Sequence, residues 1–273
     1  MMNQHVADLL KRLHGMDMAK FDDSFLKSSL EKRMAETHCV SDKEYCALLE
    51  RDQSECGTFA DSLLISYSTF FRNPLTCAVL ERIVLPTLVL KKKRAKSKEL
   101  RLWSAACAGG EEAYTLAILL EELAAGNENF TYRIFATDQS DVQINKARKG
   151  EFAVAALENL SLKRAGEWFT RQGDLHTVRP ELKKHIDFST FDLFSDTLSC
   201  PSTSIFGDFD LVVCANLLFY YKDDYRKAIL AKTGNCLADG GYLISGETER
   251  DIVMRSDYRE MYSQAAIFIR NLP

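Results

Sequence analysis

From about residue 100 onward, short apolar runs alternate with amphipathic segments, and this alternation restricts the fold more than any other feature of the chain. Predicted strands cover residues 100–105, 132–137, 186–191, 209–214 and 241–245, and predicted helices cover 111–123, 140–148 and 225–237. Strands that alternate with helices form a mainly parallel sheet covered by helices, which is an α/β fold. Two further strands, 258–262 and 266–270, have no helix between them and predict an antiparallel hairpin at one edge of the sheet.

The first seventy residues show a different, helical pattern. Val6, Leu9 and Leu10 recur at helical spacing, and Ser41 with Glu44 three residues later has the form of a capping box. We therefore expect a small helical domain over residues 1–72 and an α/β domain over 73–273. Within the second domain, the polar and irregular segment 168–184 is either a small β excursion or a plain loop.

Charge and cysteine usage exclude several function classes. The formal net charge is −4, so nothing global favours nucleic acid or an anionic membrane. The basic run Lys91–Arg94 is read as a solvated helix end, and a nucleic-acid patch is the less favoured alternative.

The eight cysteines form no CxxC pair and no metal-ligand spacing with histidine, so we expect no metal site. Without a signal peptide or a long apolar run, the sequence predicts a cytoplasmic protein.

The first candidate site is the segment 105–112 after the first predicted strand. Small residues such as Ala106 and Gly110 allow a backbone to approach a ligand closely. The spacing matches neither the dinucleotide fingerprint nor the P-loop. Glu111 and Glu112 open the next helix, which disfavours a phosphate and favours a ligand with a cationic group. A glycine turn with acidic capping residues explains the segment equally well.

Two further segments follow other strands and should reach the same edge of the sheet, where ligands of open α/β sheets bind. Asp138 can accept hydrogen bonds from both hydroxyls of a ribose, or it can cap the helix that starts near Ser140. Asn216 follows the fourth strand and can hydrogen-bond a ligand, and Tyr220 or Tyr221 can donate a phenolic proton. Aromatic residues at such positions more often belong to the core.

Taken in order, these segments resemble the CheR family, the S-adenosylmethionine-dependent glutamate methyltransferases of bacterial chemoreceptors. The resemblance is carried by Ser66–Asn73, Leu102–Tyr114, Phe135–Asp138, Phe209–Asn216 and Leu237–Leu243. It implies the class I methyltransferase fold, which is Rossmann-like, preceded by a small all-α domain. It also implies S-adenosylmethionine as cofactor, S-adenosylhomocysteine as product and methyl transfer to glutamate carboxylates of a protein.

The resemblance implies roles for individual residues. Arg72 and Tyr220 would hold the acceptor carboxylate and are the expected catalytic residues. Glu111 would contact the methionine amino group, and Asp138 the ribose. The full expected cofactor set is Ser66, Ser68, Arg72, Ala106, Gly110, Glu111, Asp138, Asp192, Leu193, Cys214, Ala215 and Asn216, with Asp192 and Leu193 beside the adenine and Cys214 and Ala215 at the methionyl end.

The chain departs from the family pattern at several points. Ser66 stands where the family commonly has asparagine, and Ala215 where it commonly has arginine. Residues 1–72 hold nine basic and twelve acidic residues, a charge of −3, whereas the family's N-terminal domain is often basic to meet an acidic receptor helix. The segment 168–184 contains only Gly173 and no extended glycine-bearing loop, so tethering through a receptor's C-terminal peptide is not expected.

The expected partner is a protein substrate, with the cytoplasmic helical region of a chemoreceptor as the leading candidate, and neither nucleic acid nor membrane insertion is expected. Two other functions remain open from the sequence. One is a methyltransferase of the same architecture that acts on another carboxylate. The other is a non-catalytic signalling module that binds the cofactor.

Overall fold

The computed structural model of the protein describes residues 4–15, 17–63, 67–95, 99–126, 130–204 and 207–271. The described residues divide into two compact units. The first contains those of Met1–Ile65 together with Phe219–Arg226, and the second contains those of Ser66–Leu218 and Lys227–Pro273. No helix within these ranges combines the length and the apolar character that are needed to cross a membrane.

The first unit is helical. Its helices are α1 (Gln4–His14), α2 (Asp23–Glu36), α3 (Asp42–Arg51) and α4 (Gln53–Ser62), with a short 3-10 turn at Met18–Lys20. Ser41 begins α3 as the capping-box pattern predicts, because its hydroxyl oxygen accepts a hydrogen bond from the Glu44 N–H at 3.3 Å. The Glu44 carboxylate accepts in turn from the N–H of Val40 at 2.8 Å. The first bond satisfies a backbone donor that the first turn of the helix leaves unpaired, and the second holds the residue that precedes the cap.

A buried ion pair joins three helices of this unit. The Glu55 carboxylate accepts two hydrogen bonds from the Arg33 guanidinium, at 3.0 and 2.6 Å, and a third from the Tyr45 hydroxyl at 2.7 Å. The apolar residues that the helical spacing predicts are buried in the same unit, including Leu10, which is fully buried. The pairing matters because a buried carboxylate without partners destabilises a fold by several kcal/mol.

The second unit contains a seven-stranded sheet. Its strands are β1 (Glu99–Ser104), β2 (Thr131–Asp138), β6 (Ile186–Thr190), β7 (Phe209–Val213), β8 (Leu237–Ile244), β9 (Tyr258–Glu260) and β10 (Ile267–Arg270). They lie in the order β6-β2-β1-β7-β8-β10-β9. The pairs within β6-β2-β1-β7-β8 are parallel, whereas β10 is antiparallel to β8 and β9. The predicted fold class, a mainly parallel sheet with an antiparallel edge and a preceding helical domain, is confirmed.

Further helices occur along the chain after residue 73. They are α5 (Pro74–Val79), α6 (Leu85–Arg94), α7 (Glu111–Ala125), α8 (Asp141–Lys149), α9 (Leu162–Trp168), α10 (Pro180–Lys183), α11 (Asp223–Asn235) and α12 (Arg250–Met254). A π-helical turn, Leu80–Val84, joins α5 to α6, and the Leu85 N–H bonds the Leu80 carbonyl oxygen. Pro86 follows at once, and because proline has no N–H and its ring crowds the preceding turn, a widened turn fits here.

A second, small sheet lies in the same unit. It consists of β3 (Glu151–Ala153), β5 (Leu175–Val178) and β4 (Phe169–Gln172), all antiparallel. Of the two alternatives for residues 168–184, the structure therefore has the β excursion. Residues 67–72, which the sequence groups with the helical domain, belong to the second unit because Phe70 is fully buried in its core.

Candidate active site

The loop after β1 is tied to the strands on both sides of β1. The Ala105 N–H donates to the Val213 carbonyl oxygen of β7, and the Cys107 N–H to the Thr137 carbonyl oxygen of β2, each at 2.8 Å. Gly110 ends the loop with φ of +96°, a conformation that favours glycine. A Cβ there would also lie 3.0 Å from the Ala147 Cβ. Gly110 thus permits the close approach of α7 and α8.

Glu111, the first residue of α7, has a buried carboxylate with one unpaired oxygen. Its side chain is only 3% exposed, and Oε2 has no hydrogen-bond partner among the described residues. Both carboxylate oxygens lie 3.0 Å from the place where a Cβ of Gly109 would stand, so the carboxylate lies over the glycine loop. Burial raises the pKa of Glu111, opposed by the charge of Lys146. A cationic ligand group would satisfy this oxygen.

Asp138, the last residue of β2, hydrogen-bonds both the loop after β1 and the start of the next helix. Its Oδ2 accepts from the Ala108 N–H at 3.0 Å, and its Oδ1 from the Ser140 N–H at 2.9 Å. Ser140 itself caps α8. Burial raises the pKa of Asp138 even though these backbone hydrogen bonds lower it. Each carboxylate oxygen has a second lone pair, so both can still accept from ribose hydroxyls.

Asp192 and Leu193 follow β6 and lie at the same edge of the sheet. The Phe191 N–H donates to the Asp138 carbonyl oxygen at 2.9 Å, which places the end of β6 beside the end of β2. Asp192 is exposed and its Oδ1 accepts from the Phe194 N–H at 2.9 Å, whereas Leu193 is 8% exposed. An exposed acid beside an apolar side chain suits the edge and face of a purine ring.

The segment after β7 contains Cys214, Ala215 and Asn216. Cys214 is buried, and burial raises its thiol pKa well above the ordinary value, with the charges of Glu249 and Glu112 adding to the shift. Ala215 and Asn216 are half-buried. Asn216 adopts φ of +60°, a left-handed conformation that asparagine tolerates better than most residues.

Glu249 is a site residue that the sequence analysis missed. Its side chain is fully buried and accepts hydrogen bonds from the N–H groups of Asn216, Leu218 and Gly246 at 2.7, 2.6 and 2.8 Å. It lies in the short turn that follows β8, where one acid among polar residues forms no periodic pattern. The sequence feature that could have identified Glu249 is its position shortly after a predicted parallel strand, since ligands bind beyond the carboxyl ends of such strands.

The segment before Arg72 is anchored by two phenylalanines. The Phe70 ring meets Phe152 and Phe169 edge-on, at centroid distances of 4.9 and 5.1 Å. Phe71 has φ of +50°, which is unfavourable for an aromatic residue, and its N–H donates to the Thr115 hydroxyl at 3.2 Å. The Arg164 guanidinium lies 4.7 Å from the Phe71 ring centroid. The surrounding packing therefore fixes a strained backbone immediately before Arg72.

Arg72 itself is exposed. Its Nη1 donates to the Tyr67 carbonyl oxygen at 3.1 Å, and the guanidinium lies 5.7 Å from the Tyr67 ring centroid. In the part of the chain that the structure describes, no carboxylate forms an ion pair with it. Ser68 is half-buried on the same segment, and Ser66 lies outside the described residues.

Tyr220 belongs to the helical unit, at the end of the 3-10 turn Leu218–Tyr220. Its ring is half-buried, with centroids 4.8 Å from Phe25 and 4.2 Å from Phe219. Its backbone carbonyl oxygen accepts from the Asp22 N–H at 2.8 Å. A role for its hydroxyl toward the acceptor stays a prediction.

Glu112 adds a further buried carboxylate at this edge. The Ser104 hydroxyl donates to its Oε1 at 2.5 Å. Burial raises the pKa of Glu112 to about 7; Ser104 and Arg72 oppose the shift, whereas Glu249 and Glu111 add to it. The folded-state pKa of Glu112 lies above the unfolded-state pKa of about 4.3. The favourable contribution of the protonated Glu112 to stability is therefore complete when the pH is below about 4.3. It is lost as pH rises through about 7.

We expect Glu112→Gln to stabilise the protein at pH 8 but not at pH 4.5. The wild-type protein must ionise a buried group at pH 8, on the order of 3 kcal/mol for this shift, and glutamine need not. Thermal unfolding from pH 4.5 to 8.5 should show the difference in Tm growing with pH, whereas Glu31→Gln, at an exposed site, should show none. A constant difference at all pH values would contradict the buried titration.

These residues fit the S-adenosylmethionine that the resemblance implies. The unpaired oxygen of Glu111 suits an ammonium group, and Asp138 retains lone pairs for ribose hydroxyls. The missing side chain at Gly109 lets the Glu111 carboxylate lie against the loop. Four acids lie at this edge, Glu111, Glu112, Asp138 and Glu249, and their negative charge suits a ligand that carries positive charge.

Family models match almost the whole chain. One described as "CheR methyltransferase, SAM binding domain" matches residues 66–267. One described as "CheR methyltransferase, all-alpha domain" matches residues 4–64.

Individual relatives agree with these matches. A chemotaxis protein methyltransferase of Listeria innocua is 32% identical over 250 residues, covering 92% of this chain and 90% of that protein. That of Escherichia coli is 27% identical over 252 residues, covering 90% and 83%. An uncharacterized 104.1 kDa protein of Rhodobacter capsulatus is 30% identical over 264 residues, but the chain spans only 27% of its length. Since the cofactor-binding family model covers most of the chain, the chain belongs to the CheR family of S-adenosylmethionine-dependent methyltransferases.

Proposed function

We propose that the protein transfers the methyl group of S-adenosylmethionine to glutamate side-chain carboxylates of a protein, in bacterial chemotaxis, with a cytoplasmic chemoreceptor region as substrate. The relatives named chemotaxis protein methyltransferase support the setting. The observation that carries the choice of acceptor is the state of Arg72. It is exposed, it follows a rigidly packed segment, and within the described residues it forms no ion pair, although its charge lowers the pKa of the neighbouring Glu112.

Arg72 is suited to hold a carboxylate from outside the protein. A guanidinium presents its donors in a planar fork that matches the two oxygens of a carboxylate. One nitrogen, Nη1, is already bound to the Tyr67 carbonyl oxygen, which fixes the orientation of the group. Because Phe71 is held in a strained conformation by its neighbours, the backbone that bears Arg72 is fixed before a substrate arrives. The protein therefore orients the acceptor at a small entropic cost.

The chemistry needs no general base. A glutamate carboxyl has a reference pKa of about 4.3 and is already ionised at neutral pH. S-adenosylmethionine, when bound, supplies an activated methyl group for in-line displacement by a carboxylate oxygen. The buried thiols of Cys107 and Cys214 have pKa values raised well above the ordinary range, so neither is a thiolate nucleophile. Direct transfer to the acceptor oxygen is the step that this edge of the sheet supports.

Arg72 must position the acceptor without quenching it. A tight ion pair with both acceptor oxygens would withdraw electron density from the attacking atom. With Nη1 engaged by Tyr67, the remaining donors can hold one oxygen and leave the other free to attack. Tyr220 would add a hydrogen bond from its hydroxyl, and Ser68 would contact the cofactor from the Arg72 segment.

Methyl-labelled S-adenosylmethionine and a purified chemoreceptor cytoplasmic fragment test the proposal. We expect label to enter the fragment and to be released as methanol under mild alkali, because carboxyl methyl esters are base-labile. A fragment in which the labelled glutamates are replaced by glutamine is the matched control. Alkali-stable label would indicate another acceptor group. Cofactor binding without any transfer to carboxylate-bearing proteins would favour the non-catalytic module.

A further inference from the structure

We infer that Glu249 is a positioning residue for the cofactor-binding loop after β7. Its carboxylate is fully buried and accepts hydrogen bonds from the backbone N–H groups of Asn216, Leu218 and Gly246. Two of these donors belong to the segment that leaves β7, and the third belongs to the turn that follows β8. The carboxylate thus joins the ends of two neighbouring parallel strands.

The geometry requires a carboxylate of this length. Oε2 accepts from the N–H groups of Asn216 and Gly246, and Oε1 accepts from that of Leu218. Glutamine would place an NH₂ group against one of these donors and leave a buried N–H unpaired. Aspartate is one methylene shorter and cannot keep all three hydrogen bonds from the same backbone position.

The packing around the carboxylate is equally restrictive. A Cβ at Gly246 would overlap the side-chain amide nitrogen Nδ2 of Asn216 and would lie 2.9 Å from Glu249 Oε2. Asn216 is also held at φ of +60°. One side chain therefore holds three backbone N–H groups, two of them in buried hydrogen bonds, and a left-handed residue. Without that side chain we expect the segment to relax.

The consequence reaches the cofactor through Cys214 and Ala215, which precede Asn216 directly. Ala215 has only a methyl group, so this part of the loop can meet a ligand only through its backbone and short side chains. A short side chain cannot keep its contact with a ligand when the backbone shifts. The contact of Cys214 and Ala215 with the cofactor therefore depends on the position of their backbone. The positioning role does not depend on which carboxylate accepts the methyl group.

The full-length variant Glu249→Gln tests this role. We expect the Kd for S-adenosylmethionine, measured by titration calorimetry, to rise about tenfold, as leaving a buried donor unpaired implies. The KM for the protein acceptor should be unchanged, because the acceptor does not contact this carboxylate. Glu55→Gln is the matched control, since Glu55 is also buried and accepts three hydrogen bonds, but in the helical unit. It should lower Tm and leave the cofactor Kd unchanged.

Hydrogen exchange of the wild-type protein provides a second measurement if the variant does not fold. The amides of Asn216, Leu218 and Gly246 should be as protected without cofactor as those of β7, because the carboxylate already holds them. Exchange that is fast until cofactor binds would overturn the inference. A Glu249→Gln protein with the wild-type Kd would also overturn it, as would an equal loss of affinity in Glu55→Gln.

Discussion

Replacing Arg72 by alanine is expected to lower methyl transfer to a protein acceptor by about 10²- to 10³-fold, the usual effect of removing a preorganised charged donor. The Kd for S-adenosylmethionine should change less than about threefold, within the few tenths of a kcal/mol typical of an exposed side chain. The reason is that the guanidinium is exposed and, in our proposal, meets the acceptor, whereas the buried Glu111 carboxylate is the group that we propose for the cofactor. Turnover at saturating cofactor and titration calorimetry measure the two quantities separately.

Two controls sharpen this result. Arg72→Lys keeps the charge but loses the planar fork, so its turnover should fall between those of wild type and Arg72→Ala. Arg148→Ala removes another exposed arginine that donates to a backbone carbonyl, that of Phe188 at 2.7 Å, and should leave turnover unchanged. Parallel losses of turnover and cofactor affinity in Arg72→Ala would instead indicate a cofactor-binding residue.

Replacing Glu111 by glutamine is expected to weaken S-adenosylmethionine binding by about 10- to 100-fold while raising the Tm of the cofactor-free protein. The loss follows from removing a charge-assisted hydrogen bond to the amino group, which contributes about 1.5–3 kcal/mol. The gain follows because burial raises the pKa of Glu111, so its ionised form is unfavourable in the free protein at neutral pH. One substitution should thus move affinity and stability in opposite directions.

A cofactor analogue without the amino group makes the second result specific. Wild type and Glu111→Gln should bind this analogue with the same Kd, because the interaction under test is absent from both. Glu121→Gln is the control within the same helix, since Glu121 accepts from Tyr132 at 2.7 Å. If the Kd for the analogue still differed between wild type and Glu111→Gln, the amino group of the cofactor would not be the partner of Glu111.

The sequence predicted those parts of the fold that repeat locally. Alternating apolar runs placed all seven strands of the large sheet, and the Ser41 cap was visible as a spacing of three residues. The family and the cofactor were also predicted, because several segments matched in order. The candidate residues do lie at one edge of the sheet, where β1, β2 and β7 end; they are Ala106–Glu111, Asp138 and Cys214–Asn216. The roles of these residues toward the cofactor stay predictions.

Features that depend on distant residues were not predictable in this way. The small sheet has strands of three and four residues, too short to show an alternating pattern. Phe219–Arg226 joins the helical unit because Tyr221 stacks on Phe21, two hundred residues earlier, at a centroid distance of 5.3 Å. Glu249 was missed because its three hydrogen-bond donors are identified only once the chain has folded.

The position of β10 has a consequence for biosynthesis. β10 lies between β8 and β9, and its residues Ile267 and Phe268 are fully buried. Among the described residues β9 pairs with β10, which the ribosome makes later, so β9 is synthesised before its pairing partner. Completion of the large sheet therefore follows synthesis of residues 267–270, and β8 keeps an open, aggregation-prone edge until that stretch has left the exit tunnel.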